Sequence, residues 1–267
     1  MNISGYEIKI PKQYEALANE YNTEWSQTGK ALEMSKFLSV VKGKKNLIDI
    51  GGFYGFVSML FCAAEENRKS FCFEPNINFI HGFIDIANEN EEIEYFDDII
   101  MYPFFVGDKN EDIAAVQTQG VGMLSVVDDD SKNSSLFVNM DGFDYEYEKS
   151  RGLCKSVMID TFMYHLLTEK QTIPDVLKID VEGYEKKVIT GADKTIRNFR
   201  PYIFVEVHGK HITAYGSTTN EVFEHLKELK YEVHGIEGNP IHSLSEYESF
   251  FETKKENHFY CIPKEEL

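Results

Sequence analysis

The chain has 267 residues, 42% hydrophobic and 27% charged, the balance of a globular protein with room for one sizeable α/β domain or two small ones. Forty-five acidic residues against 27 lysines and arginines give a formal charge of −18, which disfavours nucleic acid and anionic membrane as general partners, because both are bound through lysine and arginine. No run of about 18 apolar residues predicts a membrane span, and residues 1–22 carry charges without the apolar core of a signal peptide.

The four cysteines, Cys62, Cys72, Cys154 and Cys261, are scattered without a C-x-x-C pair and read as buried free thiols of a cytoplasmic protein. In chain order, residues 13–42 read as helical, and residues 1–45 as an N-terminal helical segment packed on a core formed by 46–267. A buried strand at 46–51 leads into a helix from about Phe56 to Glu66. "KSFCFEP" (69–75) is a second strand with a helix after Asn76, and "IIMYPFFVGD" (99–108) a third strand. Strands and helices alternating at this spacing predict a mostly parallel sheet with helices on both faces.

Residues 109–160 break the rhythm and read as an inserted β-hairpin and loop region, with "KSVMIDTF" (155–162) as a further short strand. Segment 117–135, glycine-bearing and without apolar periodicity, is expected to be mobile over the pocket. The acids of "VDDDSK" (127–132) lack the ligand spacing of a calcium loop and read as solvated. Strand 174–181, helix 184–198, strand 201–208 and helix 219–229 restore the alternation, and "YEVHGIEG" and "HFYCIPK" supply two last strands.

The strand "NLIDI" runs into "GGFYG", so three glycines stand where a strand turns into a helix. Such a turn aims backbone amides and a helix N-terminus at the carboxyl edge of the sheet, and glycines there leave space for a ligand to approach the backbone. Glu74 ends the next strand, about 23 residues after Gly51, where an acid can accept both hydroxyls of a ribose. Together these features predict a nucleoside-cofactor site. The spacing D-x-G-G-x-x-G is not the G-x-G-x-x-G of nicotinamide and flavin sites. Asp49 either meets an ammonium, which S-adenosylmethionine carries, or caps the turn through backbone amides.

"LIDIGGFYGFVSMLF", "FEPN", "FVGDKN" and "PDVLKIDVEGYEKKVITGADKTIRNFRPYIFVEVH" resemble, in order and spacing over about residues 45–210, the FkbM family of S-adenosylmethionine-dependent methyltransferases. The most specific block is K-I-D-V-E-G-x-E, followed by R-P-x-I-x-V-E-V-H. The resemblance implies a Rossmann-like class I methyltransferase fold, a seven-stranded sheet with one reversed strand at the edge, and methyl transfer to an oxygen. Candidate cofactor contacts are Asp49, Gly51, Gly52, Tyr54, Gly55, Glu74, Pro75 and Asp108. The chain departs from the family pattern in the aromatic pair of G-G-F-Y-G and in the long acidic stretch 109–160.

Side-chain alternation puts Lys178 and Asp180 on one face of "LKID", and Glu206 and His208 on one face of "FVEVH", at the carboxyl ends of neighbouring strands. These acids either hold Mg²⁺ or Mn²⁺ on Asp180 and Glu206, lowering the pKa of an acceptor hydroxyl, or orient His208 as a general base. They also have structural readings: Asp180 as a helix cap, Glu206 as the partner of Lys178, and His208 as a polar strand end. Glu182 and Gly183 fit the strand-to-helix turn, Glu185 and Lys186 a solvated helix face, and His165, His225, His234 and His242 carry no ligand spacing. The expected activity is O-methylation of a hydroxyl on a small molecule or a sugar or glycan precursor. An RNA ribose 2′-O-methyltransferase and a catalytically silent cofactor-binding protein are the alternatives.

Overall fold

The main sheet grows from the apolar runs just described, in a computed structural model that describes residues 2–3, 5–16, 29–117, 124–127, 153–251 and 257–264. After a two-stranded antiparallel pair, β1 (Asn2–Ile3) and β2 (Tyr6–Glu7), helix α1 (Gly29–Val40) leads into β3 (Asn46–Ile50). Helix α2 (Phe56–Ala64), β4 (Lys69–Phe73), α3 (Ile77–Glu89) and β5 (Ile99–Tyr102) follow in strict alternation. The chain returns through α4 (Ile159–Glu169), β10 (Val176–Ile179), α5 (Glu185–Gly191), α6 (Asp193–Phe199) and β11 (Tyr202–Glu206). It finishes with α7 (Thr219–Glu228), β12 (Tyr231–Gly235), β13 (Pro240–Ile241), α8 (Leu244–Ser249) and β14 (His258–Pro263).

The sheet has eight strands in the order β13-β12-β14-β11-β10-β3-β4-β5. From β11 to β5 every pairing is parallel, while β14 runs antiparallel between β11 and β12. The fold class is as expected, but the count is eight rather than seven because the short β13 adds to β12, and the reversed strand β14 lies inside the sheet rather than at its edge.

The predicted third strand is two. Proline has no N–H for the ladder, and at Pro103 the chain leaves the main sheet and enters a second, four-stranded sheet. That sheet orders β6 (Phe104–Val106), β9 (Leu153–Val157), β7 (Glu111–Gln117) and β8 (Leu124–Val127), with β7 and β8 an antiparallel pair within the expected insertion. "KSVMIDTF" is strand only to Val157, and Met158 caps α4. Most of 117–135, and 128–132 of the acid run, lie outside the described residues, as do residues 17–28 of the expected N-terminal helix. The predicted helix 184–198 breaks at Gly191, where a Cβ would lie 1.9 Å from the Gly107 carbonyl oxygen.

Strand alternation sends side chains into two cores. Ile48, Ile50, Leu177, Ile179, Ile203 and Val205 pack with buried residues of α4, α5, α6 and α7. Leu47, Val176 and Phe204 pack with Phe37 and Val41 beside α1 and with Met59, Leu60 and Phe61 of α2. Arg68, 1% exposed, donates to the carbonyls of Val41, Lys44 and Phe61 and so ties the end of α1 to α2. All four cysteines are free and buried.

Candidate active site

The turn after β3 is built by its own neighbours. The N–H groups of Gly51 and Gly52 both donate to the Phe73 carbonyl, at 2.9 and 3.1 Å, hooking the turn onto β4. Gly51 has φ +79°, and a Cβ there would lie 1.8 Å from the carbonyl oxygen of Asp180. At Gly52 a Cβ would lie 2.0 Å from Cys72 Sγ. Gly55 caps α2 at φ +76°, with Phe83 2.9 Å from its Cβ position. Close packing inside the protein by itself requires glycine at these three positions. Phe53 takes a left-handed conformation, φ 55°, that bulky residues rarely adopt. Tyr54 lies against Phe53, Phe79 and Tyr14, its ring filling the space above Gly82.

The strained Phe53 has a partner: its N–H donates to Glu74 Oε2 at 2.9 Å, while Asn76 N–H donates to Oε1 at 2.7 Å. Glu74 thus stands at the carboxyl end of β4, locked to the glycine turn on one side and, through Pro75, to the start of α3 on the other. Burial pushes its carboxyl up to about 8, against the pull of the two amides. Each carboxylate oxygen keeps a lone pair beyond the amide it accepts, which is what a ribose diol requires.

Asp49 is fully buried, and its Oδ2 accepts from the Ser58 hydroxyl at 2.7 Å. Burial raises its carboxyl, with Lys178 and Ser58 opposing. Its Oδ1 is buried and has no hydrogen-bond partner among the described residues. Asp108 follows β6 in the second sheet, where the backbone at Gly107 and Asp108 packs on Gly191.

The second half of the site lies at the ends of β10 and β11. Lys178, buried in β10, holds Asp180 Oδ2 at 3.0 Å. His208, just past β11, is 12% exposed and surrounded by acids: its Nδ1 is 2.8 Å from Glu185 Oε1, and its Nε2 is 3.3 Å from Glu206, 3.4 Å from Glu182 and 3.9 Å from Asp180. Burial alone would lower the imidazole, but the hydrogen bonds to Glu185 and Glu206 and the charge of Asp180 outweigh it and hold the group at about 10. Glu206 is held in turn by Asn257 at 3.0 Å and by His258 at 2.8 Å, and His258 reaches Glu33 of α1 at 3.2 Å.

Two acids of the strand-to-helix turn reach His208 beyond what the sequence pattern suggests. Glu185 was read as a solvated helix face, yet it is 0% exposed, its Oε1 also accepting from Gly183 N–H at 2.9 Å. It is the first residue of a seven-residue helix, where direction is set by the preceding turn and not by helical period. Glu182 serves that turn at φ 53°, but its carboxylate points back to His208 and to His211, 3.1 Å away. The signal for both lay in E-G-x-E directly after a strand-end aspartate. His225 is structural, held between Lys186 and Asp193.

A glycine turn, a buried acid and an acid–imidazole cluster gathered at one sheet edge suit a nucleoside cofactor beside a reacting group. No curated protein matches the chain. Among solved structures, a methyltransferase FkbM from Methylobacillus flagellatus KT is 12% identical with a TM-score of 0.48, over 82% of this chain and 43% of that one, so the chain spans less than half of that protein's length. The O-methyltransferase TomG from Streptomyces achromogenes, in complex with S-adenosylmethionine, is 9% identical with a TM-score of 0.46, over 98% and 94% of the two chains. A Bacillus cereus O-methyltransferase in complex with S-adenosylhomocysteine is also 9% identical, at 0.45 over the same shares. The methyltransferase FkbM domain matches residues 49–233, well over half of the chain, from Asp49 of the turn into β12. The chain therefore belongs to the FkbM family of S-adenosylmethionine-dependent methyltransferases.

Proposed function

We propose that the protein is an O-methyltransferase that moves the methyl group of S-adenosylmethionine to a hydroxyl of a small molecule or of a sugar or glycan precursor. One observation carries this reading: the Cβ position of Gly51 lies against the Asp180 carbonyl, so the cofactor turn and the acid cluster share a wall. A group held on the turn and Glu74 is thereby next to a group held at Asp180 and Glu206.

The cofactor supplies an electrophilic methyl on a sulfonium, and its displacement by oxygen is an in-line step that asks for positioning and for removal of one proton. Glu74 accepts the ribose hydroxyls and fixes the cofactor on the turn. Asp180, steadied by Lys178 and a quarter exposed, orients the acceptor hydroxyl and takes its proton. His208, surrounded by carboxylates, is an imidazolium at neutral pH and has no lone pair for a proton. In this reading it orients Glu206 and Asp180 and does not act as the base. The hard oxygen donors of this edge also suit Mg²⁺ or Mn²⁺, which stay part of the proposal.

Calorimetric titration with S-adenosylmethionine, S-adenosylhomocysteine and, separately, NAD tests the cofactor. A screen of hydroxyl acceptors with and without Mg²⁺ tests the reaction. Methyl transfer to oxygen supports the reading; a cofactor-bound chain that methylates only nitrogen or carbon acceptors contradicts it.

A further inference from the structure

We infer that the edge of β10 and β11 holds one divalent cation, Mg²⁺ or Mn²⁺, on Asp180, Glu182 and His208. This set differs from the Asp180–Glu206 pair suggested by the sequence, and it rests on the methyltransferase reading only for its use, not for its geometry. One ligand atom from each of the three residues lies within 4.8 Å of the other two. His208 Nε2 is 3.4 Å from Glu182 Oε2 and 3.9 Å from Asp180 Oδ1. Ligands about 2.1 Å from an octahedral Mg²⁺ stand roughly 3–4 Å from one another, so the three atoms already frame a shell of the right size.

The histidine is prepared for this role. Glu185, wholly buried, faces His208 Nδ1 at 2.8 Å, which sets one proton on Nδ1, and the ion takes the place of the second proton on Nε2, the nitrogen that faces the two acids. The other oxygen of Glu185 is buried and has no hydrogen-bond partner among the described residues. Four carboxylates, Asp180, Glu182, Glu185 and Glu206, thus converge on one imidazole, with Lys178 at Asp180, and a divalent ion in place of the imidazolium proton adds positive charge to this acidic edge. Glu206 is outside this set of three, its two oxygens facing Asn257 and His258. Asp180 and Glu182 are the more exposed members, at 25% and 42%, so the open side of the ion faces solvent and an incoming hydroxyl. There the ion acts as a Lewis acid on that hydroxyl.

The test is titration of the chelator-stripped protein with Mn²⁺, followed by electron paramagnetic resonance of the free ion, with S-adenosylhomocysteine titrated calorimetrically in parallel. The expected result is about one Mn²⁺ per chain, with affinity falling by roughly tenfold or more in both Glu182→Gln and His208→Gln. Retained S-adenosylhomocysteine binding shows that the variants are folded. Absence of Mn²⁺ binding at millimolar concentration, or unchanged binding in both variants, overturns the cation site. If S-adenosylhomocysteine binds while Mn²⁺ does not, the cation alone fails. If Mn²⁺ binds as expected and S-adenosylhomocysteine does not, the methyltransferase reading fails and the cation site stands.

Discussion

Replacing Gly51 by alanine should cost far more than the backbone angle alone explains. A non-glycine residue in the left-handed region costs about 1–2 kcal/mol, and Gly51 has φ +79°. The new methyl would also lie 1.8 Å from the Asp180 carbonyl oxygen. That oxygen belongs to the end of a central strand whose N–H is bonded to Ile50, so it cannot swing aside as a side chain would. Forcing the two strand ends apart should add about 1–3 kcal/mol, the usual cost of overpacking. Gly216, at φ +74° with nothing within 4 Å of its Cβ position, isolates the first cost from the second. Urea unfolding followed by circular dichroism should therefore show Gly216→Ala losing about 1–2 kcal/mol and Gly51→Ala about 2–5 kcal/mol. Equal losses in the two variants would refute the claim that the turn is built against Asp180.

Glu74, with its carboxyl near 8, should make cofactor binding depend on pH. Because ribose hydroxyls favour the ionised form, S-adenosylhomocysteine affinity should rise with pH until about 8 and then level off, with proton release on binding that calorimetry in several buffers detects and that Glu74→Gln abolishes. In the free protein the sign is opposite: a carboxyl raised from 4.5 to about 8 subtracts stability as pH climbs through that window, and Glu74→Gln should flatten the loss measured by unfolding. Asp180→Asn should lower kcat on the true acceptor by about 10²-fold or more while leaving S-adenosylhomocysteine affinity nearly intact, measured by steady-state kinetics and calorimetry. Arg68→Ala strips charged donors from three backbone carbonyls and should cost about 3–5 kcal/mol in urea unfolding, with cofactor affinity of the folded protein unchanged.

Much of this architecture is legible in the sequence where one residue's neighbours along the chain decide its fate. The run Asn46–Ile50, the glycines after it and Glu74 at the end of the next strand announce strand, turn and acid by local pattern alone. So do Asp180, Glu206 and His208, whose two-residue spacings put them at strand ends. What the sequence hid depends on long-range register. That Gly51 meets Asp180 follows from β3 pairing with β10, 129 residues along the chain by register (Val176 opposite Leu47), and that His258 reaches Glu206 follows from β14 reversing beside β11. Glu185 was misread for a related reason: on a helix of seven residues the entering turn decides burial, and the left-handed Glu182 and Gly183 steer that turn. Pro103 did carry a local signal, since a proline within a strand forces the ladder to break there.

Calorimetric titration of the purified chain with S-adenosylhomocysteine tests the central claim most directly. The account predicts one site per chain with micromolar affinity, weakened in Glu74→Ala by about 1–3 kcal/mol, or roughly 5- to 150-fold, as two ribose hydroxyls lose their acceptor. Saturable binding of NAD without any response to S-adenosylhomocysteine, or binding that Glu74→Ala leaves unchanged, would contradict it.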